Sequence, residues 1–178
     1  MNETQEIPRR LADGSAPASP EALLARLDAL GIAHRTISHP PVFTVEESKA
    51  LRGELPGGHS KNLFLRNKKG AMWLVTCAED RAVDIKTLGE RLGAGRLSFG
   101  SPERLMSYLG VIPGTVTPFA AINDHGGAVQ VAIDEGLLRH DPLNFHPLDN
   151  AMTTAVAPGD LLRFLDAVEH PPLVVGLD

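Results

Sequence analysis

HSKNLFLRNKKGAMWLVTC, residues 59–77, reads as two strands joined by a tight turn. His59 to Arg66 and Ala71 to Cys77 favour extended chain, and Asn67-Lys68-Lys69-Gly70 between them has the chemistry of a hairpin turn. Side chains alternate along a strand. His59, Lys61, Leu63 and Leu65 therefore share one face, and Ser60, Asn62, Phe64 and Arg66 share the other. A lysine in line with two leucines stands at the edge of an apolar face. Either its ammonium meets a phosphate or carboxylate of a ligand, or its stem covers apolar surface while the charge reaches water.

Working outward toward the N-terminus, Glu54 to Gly58 reads as a loop, and Thr44-Val45-Glu46-Glu47 as a capping box that opens a helix through about Leu51. His34 to Ile37 predicts a short strand. Before it, Ser19-Pro20 starts a helix whose Leu23, Leu24, Leu27 and Leu30 recur at helical spacing, with Gly31 as its stop. Residues 1–18 lack periodicity and are rich in polar residues, which predicts a disordered tail ahead of a domain over 19–178.

Toward the C-terminus, Asp84 caps a helix through Leu92, and Ser101-Pro102 starts another that Gly110 stops. Phe119 to Ile122 and Val129 to Ile133 read as a second hairpin. Asn144 to His146 and Thr153 to Val156 read as short strands, and Pro158 to Val168 as the last helix. Hairpins and helices mix without a regular βαβ alternation, which predicts an α+β domain with a mixed or antiparallel sheet.

A chain of 178 residues with 43% hydrophobic and 22% charged residues fits one globular domain. Its single cysteine, Cys77, cannot form an internal disulfide and ends an apolar strand, where a small core residue is expected. With no signal-like N-terminus and no bilayer-length apolar run, the cytoplasm is the expected location. A net charge of −5 argues against coating nucleic acid through bulk charge. Between Lys49 and Lys69, however, six basic residues face one acidic residue. This patch either grips one nucleic-acid end or is a solvated hairpin tip.

The sequence lacks a nucleophile elbow, a phosphate-binding P-loop and paired metal-ligand spacings, so no metal or organic cofactor is expected. Two further features could carry chemistry. Gly114-Thr115-Val116-Thr117-Pro118 is either a plain connection or a loop presenting backbone N–H groups to a ligand oxygen. His146, beside Phe145, is either a satisfied core residue or an acid, base or orienting group near neutral pH.

HPPVFTVEES (39–48), GGHSKNLFLRNKKG (57–70), LSFGSPERLMSYLGVIPGTVTPFA (97–120) and NFHPL (144–148) together resemble the free-standing alanyl-tRNA(Pro) deacylases. These are relatives of the editing domain inserted in bacterial prolyl-tRNA synthetases and of the YbaK group. The resemblance covers roughly residues 20–170. It implies a compact α+β fold with a mixed, curved sheet flanked by helices. It also implies hydrolysis of the ester joining alanine to the 3′ end of proline tRNA, with prolyl-tRNA synthetase as a further partner. Carried over by position, Lys61 is the family's essential lysine and Asn62 its neighbour. Gly114 to Pro118 is the G-x-x-x-P loop, and His146 is the pocket histidine, catalytic or orienting. A deacylase acting on cysteine, serine or threonine esters, and a non-catalytic tRNA-binding module, stand as alternatives.

Overall fold

Local caps start the helices. Ser19 accepts from the Ala22 N–H and opens α1 (Pro20–Ala29). Asp84 accepts from the Lys86 N–H and opens α2 (Ile85–Arg91). Ser101 accepts from the Arg104 N–H and opens α3 (Pro102–Leu109), which Gly110 ends in the left-handed conformation. Pro158 occupies the first turn of α4 (Pro158–Ala167). The computed structural model describes residues 7–41 and 55–177, so the helix expected from Thr44 lies outside the described residues.

The strands are β1 (His34–Ser38), β2 (Gly58–Arg66), β3 (Met72–Ala78), β4 (Ser98–Phe99), β5 (Val129–Asp134), β6 (Leu143–Phe145), β7 (Met152–Val156) and β8 (Leu173–Val175). They form one mixed sheet in the order β1-β7-β6-β2-β3-β5-β8, with β4 also paired to β2. β2 and β3 pair antiparallel from Ser60 opposite Ala78 to Arg66 opposite Met72, as the turn at 67–70 dictates. Asn67 holds that turn by accepting from the Lys69 and Ala71 N–H groups.

The alternation of β2 sorts two cores. Phe64, Leu74, Val131 and Ile133 belong to the larger, with α1, α3 and α4 packed over it. Leu65, Trp73, Val75 and Ala132 belong to the smaller, which Leu88 of α2 covers. Phe119 stands edge-on to Phe145 and Phe164, with ring centroids 5.7 and 5.4 Å apart. Each such pair adds about 0.5–1.5 kcal/mol beyond area burial.

Two expectations differ from the structure. Residues 118–123 form a 3₁₀ helix, not a strand, and β5 runs parallel to β3. Phe119, Ala120 and Ala121 are buried in succession, which a half-buried strand does not allow, and Pro118 suits the first turn of a helix. The second difference concerns the N-terminal segment. Residues 7–18 lie against the domain: Leu11 is buried, the Ala12 N–H donates to Ser107 O, and the Ala18 N–H donates to Asn123 Oδ1. One apolar side chain, these two hydrogen bonds and the contact between Asp13 and His125 hold a segment whose composition alone shows no reason to fold.

Gly100 follows β4 and donates its N–H to Phe64 O at 2.9 Å. A Cβ there would stand 2.5 Å from the Phe64 ring. Gly100→Ala is therefore expected to lower stability by about 1–3 kcal/mol, as overpacking does. A denaturation midpoint equal to wild type would contradict this.

Candidate functional site

β2 carries the site on an unpaired stretch of its edge. On the side away from β3, β6 pairs with Gly58 and His59, and β4 pairs with Leu65 and Arg66. Between them, Ser60 to Leu63 have no strand partner on that side among the described residues. Lys61 and Asn62 sit in this window. β6 runs parallel to β2, and the last pair is His59 with Asn144. Two residues past that pair comes Lys61 on one chain and His146 on the other. Each thus lies two residues beyond the point where the two parallel strands last pair.

Lys61 is half-buried, and its ammonium donates to the backbone carbonyl of Arg81. That carbonyl is anchored in turn, because Arg81 Nε donates to the buried Asp134 at 2.8 Å. Asn62 Oδ1 accepts from the buried Thr76 hydroxyl at 2.7 Å, which sets the amide's orientation. Opposite Lys61 on β3 is Cys77, whose thiol burial pushes up to about 11. It is no nucleophile at neutral pH.

His146 is partly buried, and its Nδ1–H donates to Met152 O at 2.8 Å. Burial holds its pKa below the ordinary histidine value, and the neighbouring His39 adds to this, against the raising effect of the Met152 carbonyl. The ring is therefore neutral at pH 7, with Nε2 left as an acceptor. His39 lies 6.2 Å away between ring centroids. It accepts from the Thr153 hydroxyl at Nε2 and donates from Nδ1 to Pro40 O. The residue-by-residue reading of the sequence singled out His146 and passed over His39. Only its place in the HPPVFTVEES stretch marked it.

In the glycine loop, Gly114 adopts φ 90° and is exposed, so glycine serves the backbone conformation there rather than space. Thr115 donates its N–H to Ile112 O, and Thr117 accepts from the Phe119 N–H. Thr115, Thr117 and Pro118 are buried, and Val116 packs on the larger core. Among the described residues the N–H groups of Gly114, Val116 and Thr117 have no internal acceptor. A cleft of about 350 Å³ joins Ile112 and Thr115 to Leu148 and Asp149, just after His146. The structure thus brings the loop beside the turn that follows the histidine. A second groove, about 450 Å³, crosses β1, β7 and β6 and is lined by none of the expected site residues.

Among the described residues no three His, Cys, Asp or Glu side chains converge as metal ligands. No helix there is long and apolar enough to cross a membrane.

The model of the aminoacyl-tRNA editing domain family matches residues 39–164. A prolyl-tRNA synthetase associated domain-containing protein of Mus musculus is 39% identical over 158 residues, 86% of this chain and 93% of that one. The prolyl-tRNA editing protein ProX of Acetoanaerobium sticklandii is 38% identical over 148 residues, 83% of this chain and 90% of that one. A solved structure of a candidate trans-editing enzyme for prolyl-tRNA synthetase superposes with TM-score 0.70 at 20% identity. It covers 92% of this chain and 99% of that one, a likeness of fold.

Proposed function

The chain belongs to the aminoacyl-tRNA editing domain family, and from that premise we propose that it hydrolyses the ester joining alanine to the 3′ end of proline tRNA. The observation that carries this reading is the stretch of β2 between β6 and β4, unpaired on that side among the described residues, where Lys61 stands with its ammonium held by the Arg81 carbonyl.

Alanine and proline are both small, and a missing group in an apolar pocket discriminates by only about 1–3 kcal/mol. A synthetase pocket sized for proline therefore admits alanine. A second site that fits the methyl side chain and excludes the proline ring supplies the rest. The aminoacyl ester is already reactive, so the work of such a site is positioning.

In the mechanism we infer, the Lys61 ammonium pairs with a phosphate at the tRNA 3′ end or with the substrate's polar groups. The free N–H groups of the 114–117 loop hold the aminoacyl carbonyl and stabilise the oxyanion as water adds. The C–O bond to the ribose then breaks. The ribose oxygen takes the proton and free alanine leaves. The vicinal ribose hydroxyl helps position the water. His146, with Nδ1–H tied to Met152, offers Nε2 as acceptor to the substrate's amino group or to that water.

Protonating His146 would remove that acceptor. Its pKa lies below the ordinary histidine value, so kcat/KM is expected to stay flat through pH 7–8 and to fall only in acid, below about pH 6.5. His146→Asn should flatten the acid limb. An acid limb that is identical in the variant removes His146 from this role.

Side-by-side deacylation of alanine-, cysteine-, serine- and proline-charged proline tRNA tests the substrate. Alanine release at the highest kcat/KM is the expected result. Preference for cysteine or serine would reassign the pocket, and tight tRNA binding with no release of any amino acid would make the chain a binding module. A docked partnership with prolyl-tRNA synthetase is part of this proposal, and cytoplasmic residence is where its substrate would be met.

A further inference from the structure

β4 forms the far lip of the window that holds Lys61. Phe99 pairs with Leu65 of β2, so its ring is on the same sheet face as Lys61. Lys61 and Leu65 are four positions apart, about 13 Å of strand. Yet Phe99 is 62% exposed. The cause is local. Leu97 and Leu65 fill the smaller core on that face and β4 is only two residues long, so the Phe99 ring stands beyond the core's edge.

Cations surround that ring. Arg66 pairs with Ser98 next to it, on the opposite sheet face. The hairpin tip with Lys68 and Lys69 is tied to the same loop, because Asn67 Nδ2 donates to Ala94 O at 3.0 Å. Lys86 and Arg96 line, with Phe99, a groove of about 750 Å³ in which Glu90 is the sole carboxylate. Among the described residues none of these five cations forms a salt bridge, although the Lys86 ammonium and the Asp84 carboxylate attract each other. The patch stands on a protein of net charge −5.

We propose that Phe99 is a stacking platform for a base of the tRNA acceptor end, flanked by Lys68, Lys69 and Arg96 as phosphate partners. Resting on the editing reading, this gives the substrate strand a track along β2, from the ester at Lys61 to a base on Phe99. The 13 Å between them corresponds to a few nucleotides at about 3.4 Å each. A stacked ring serves every base, and the cations follow the backbone, so the track grips without reading sequence.

The test uses the full chain, uncharged proline tRNA, and a short alanyl ester of adenosine. Phe99→Ala should weaken tRNA binding about ten-fold. Lys68→Ala with Lys69→Ala should reduce the slope of log affinity against log salt by about 1.5. Both variants should hydrolyse the short ester at the wild-type rate. Wild-type tRNA affinity in both variants overturns the proposal. So does a wild-type dimer that Phe99→Ala dissociates, since the ring would then be covered by a second copy. If the wild type releases no amino acid but its tRNA affinity still depends on Phe99, the platform stands and the deacylase reading falls.

Discussion

Lys61→Ala is expected to lower kcat/KM for alanyl-tRNA(Pro) by about 100-fold, or about 2.7 kcal/mol of transition-state stabilisation. The ammonium is half-buried on a stretch of β2 that has no partner on one side among the described residues, and it is held by a backbone carbonyl. Its charge is therefore not neutralised within the hydrogen bond that orients it. Lys61→Arg should recover little, because a planar fork does not replace a compact point charge seated on one carbonyl. Thermal melting should barely move in either variant, since Lys61 belongs to neither core. Asp134→Asn is a useful companion. It weakens the anchor of Arg81, whose carbonyl seats the lysine, without touching the ammonium. Single-turnover deacylation with Lys61→Ala at subsaturating substrate is the deciding measurement, and an undiminished rate would remove the lysine from the mechanism.

The largest stability effect is expected far from the window. His170 and Asp124 are both buried, and Nε2 meets the carboxylate at 2.8 Å. His170 Nδ1 meets Val168 O at 2.7 Å. Both ring nitrogens face pure acceptors, so both carry protons and the ring is a buried cation. Asp124 also accepts from the Ala128 and Val129 N–H groups, and so ties the entry of β5 to the end of α4. Asp124→Asn leaves that cation without its counter-charge and should cost about 3–5 kcal/mol.

The pH dependence has a definite sign. Hydrogen bonding to Asp124 raises the His170 pKa against the opposing effect of burial. Its contribution is therefore full below about pH 6.5 and is lost as pH rises through the raised value. Burial pushes the Asp124 carboxyl up, but hydrogen bonds from His170, Val129 and Ala128 together outweigh it and leave the pKa lowered. Its contribution is present above about pH 4 and is lost as pH falls through the lowered value. The stability gap between wild type and Asp124→Asn should thus be widest between about pH 4 and 6.5 and narrow in alkali. Denaturant midpoints at pH 5.5, 7 and 9 measure it. A gap that does not narrow would mean that the ring is neutral in the folded protein.

The site was only partly legible in the sequence. Lys61 stood out because alternation put an ammonium in line with Leu63 and Leu65, a conflict visible within seven residues. His146 could be weighed from the residues alone, as a core residue or an acid–base group, but only the resemblance favoured the second, since a histidine next to a phenylalanine has no local signature of function. Phe99 gave no signal, because its exposure depends on where β4 pairs with β2 at the edge of the smaller core. Asp124 and His170 are 46 residues apart, and neither has a local pattern that names the other.

By itself the sequence determined where α1, α2 and α3 begin and how β2 turns into β3. Caps and tight turns are made by groups within a few residues of one another, so their hydrogen bonds are written in neighbouring letters. Tertiary structure alone decided that β5 runs parallel to β3, that 118–123 coils into a 3₁₀ helix, and that residues 7–18 lie on the domain. It also decided that β6 and β4 leave a window on β2. Those outcomes turn on which surfaces distant segments bury against each other, a balance that no local stretch of chain contains.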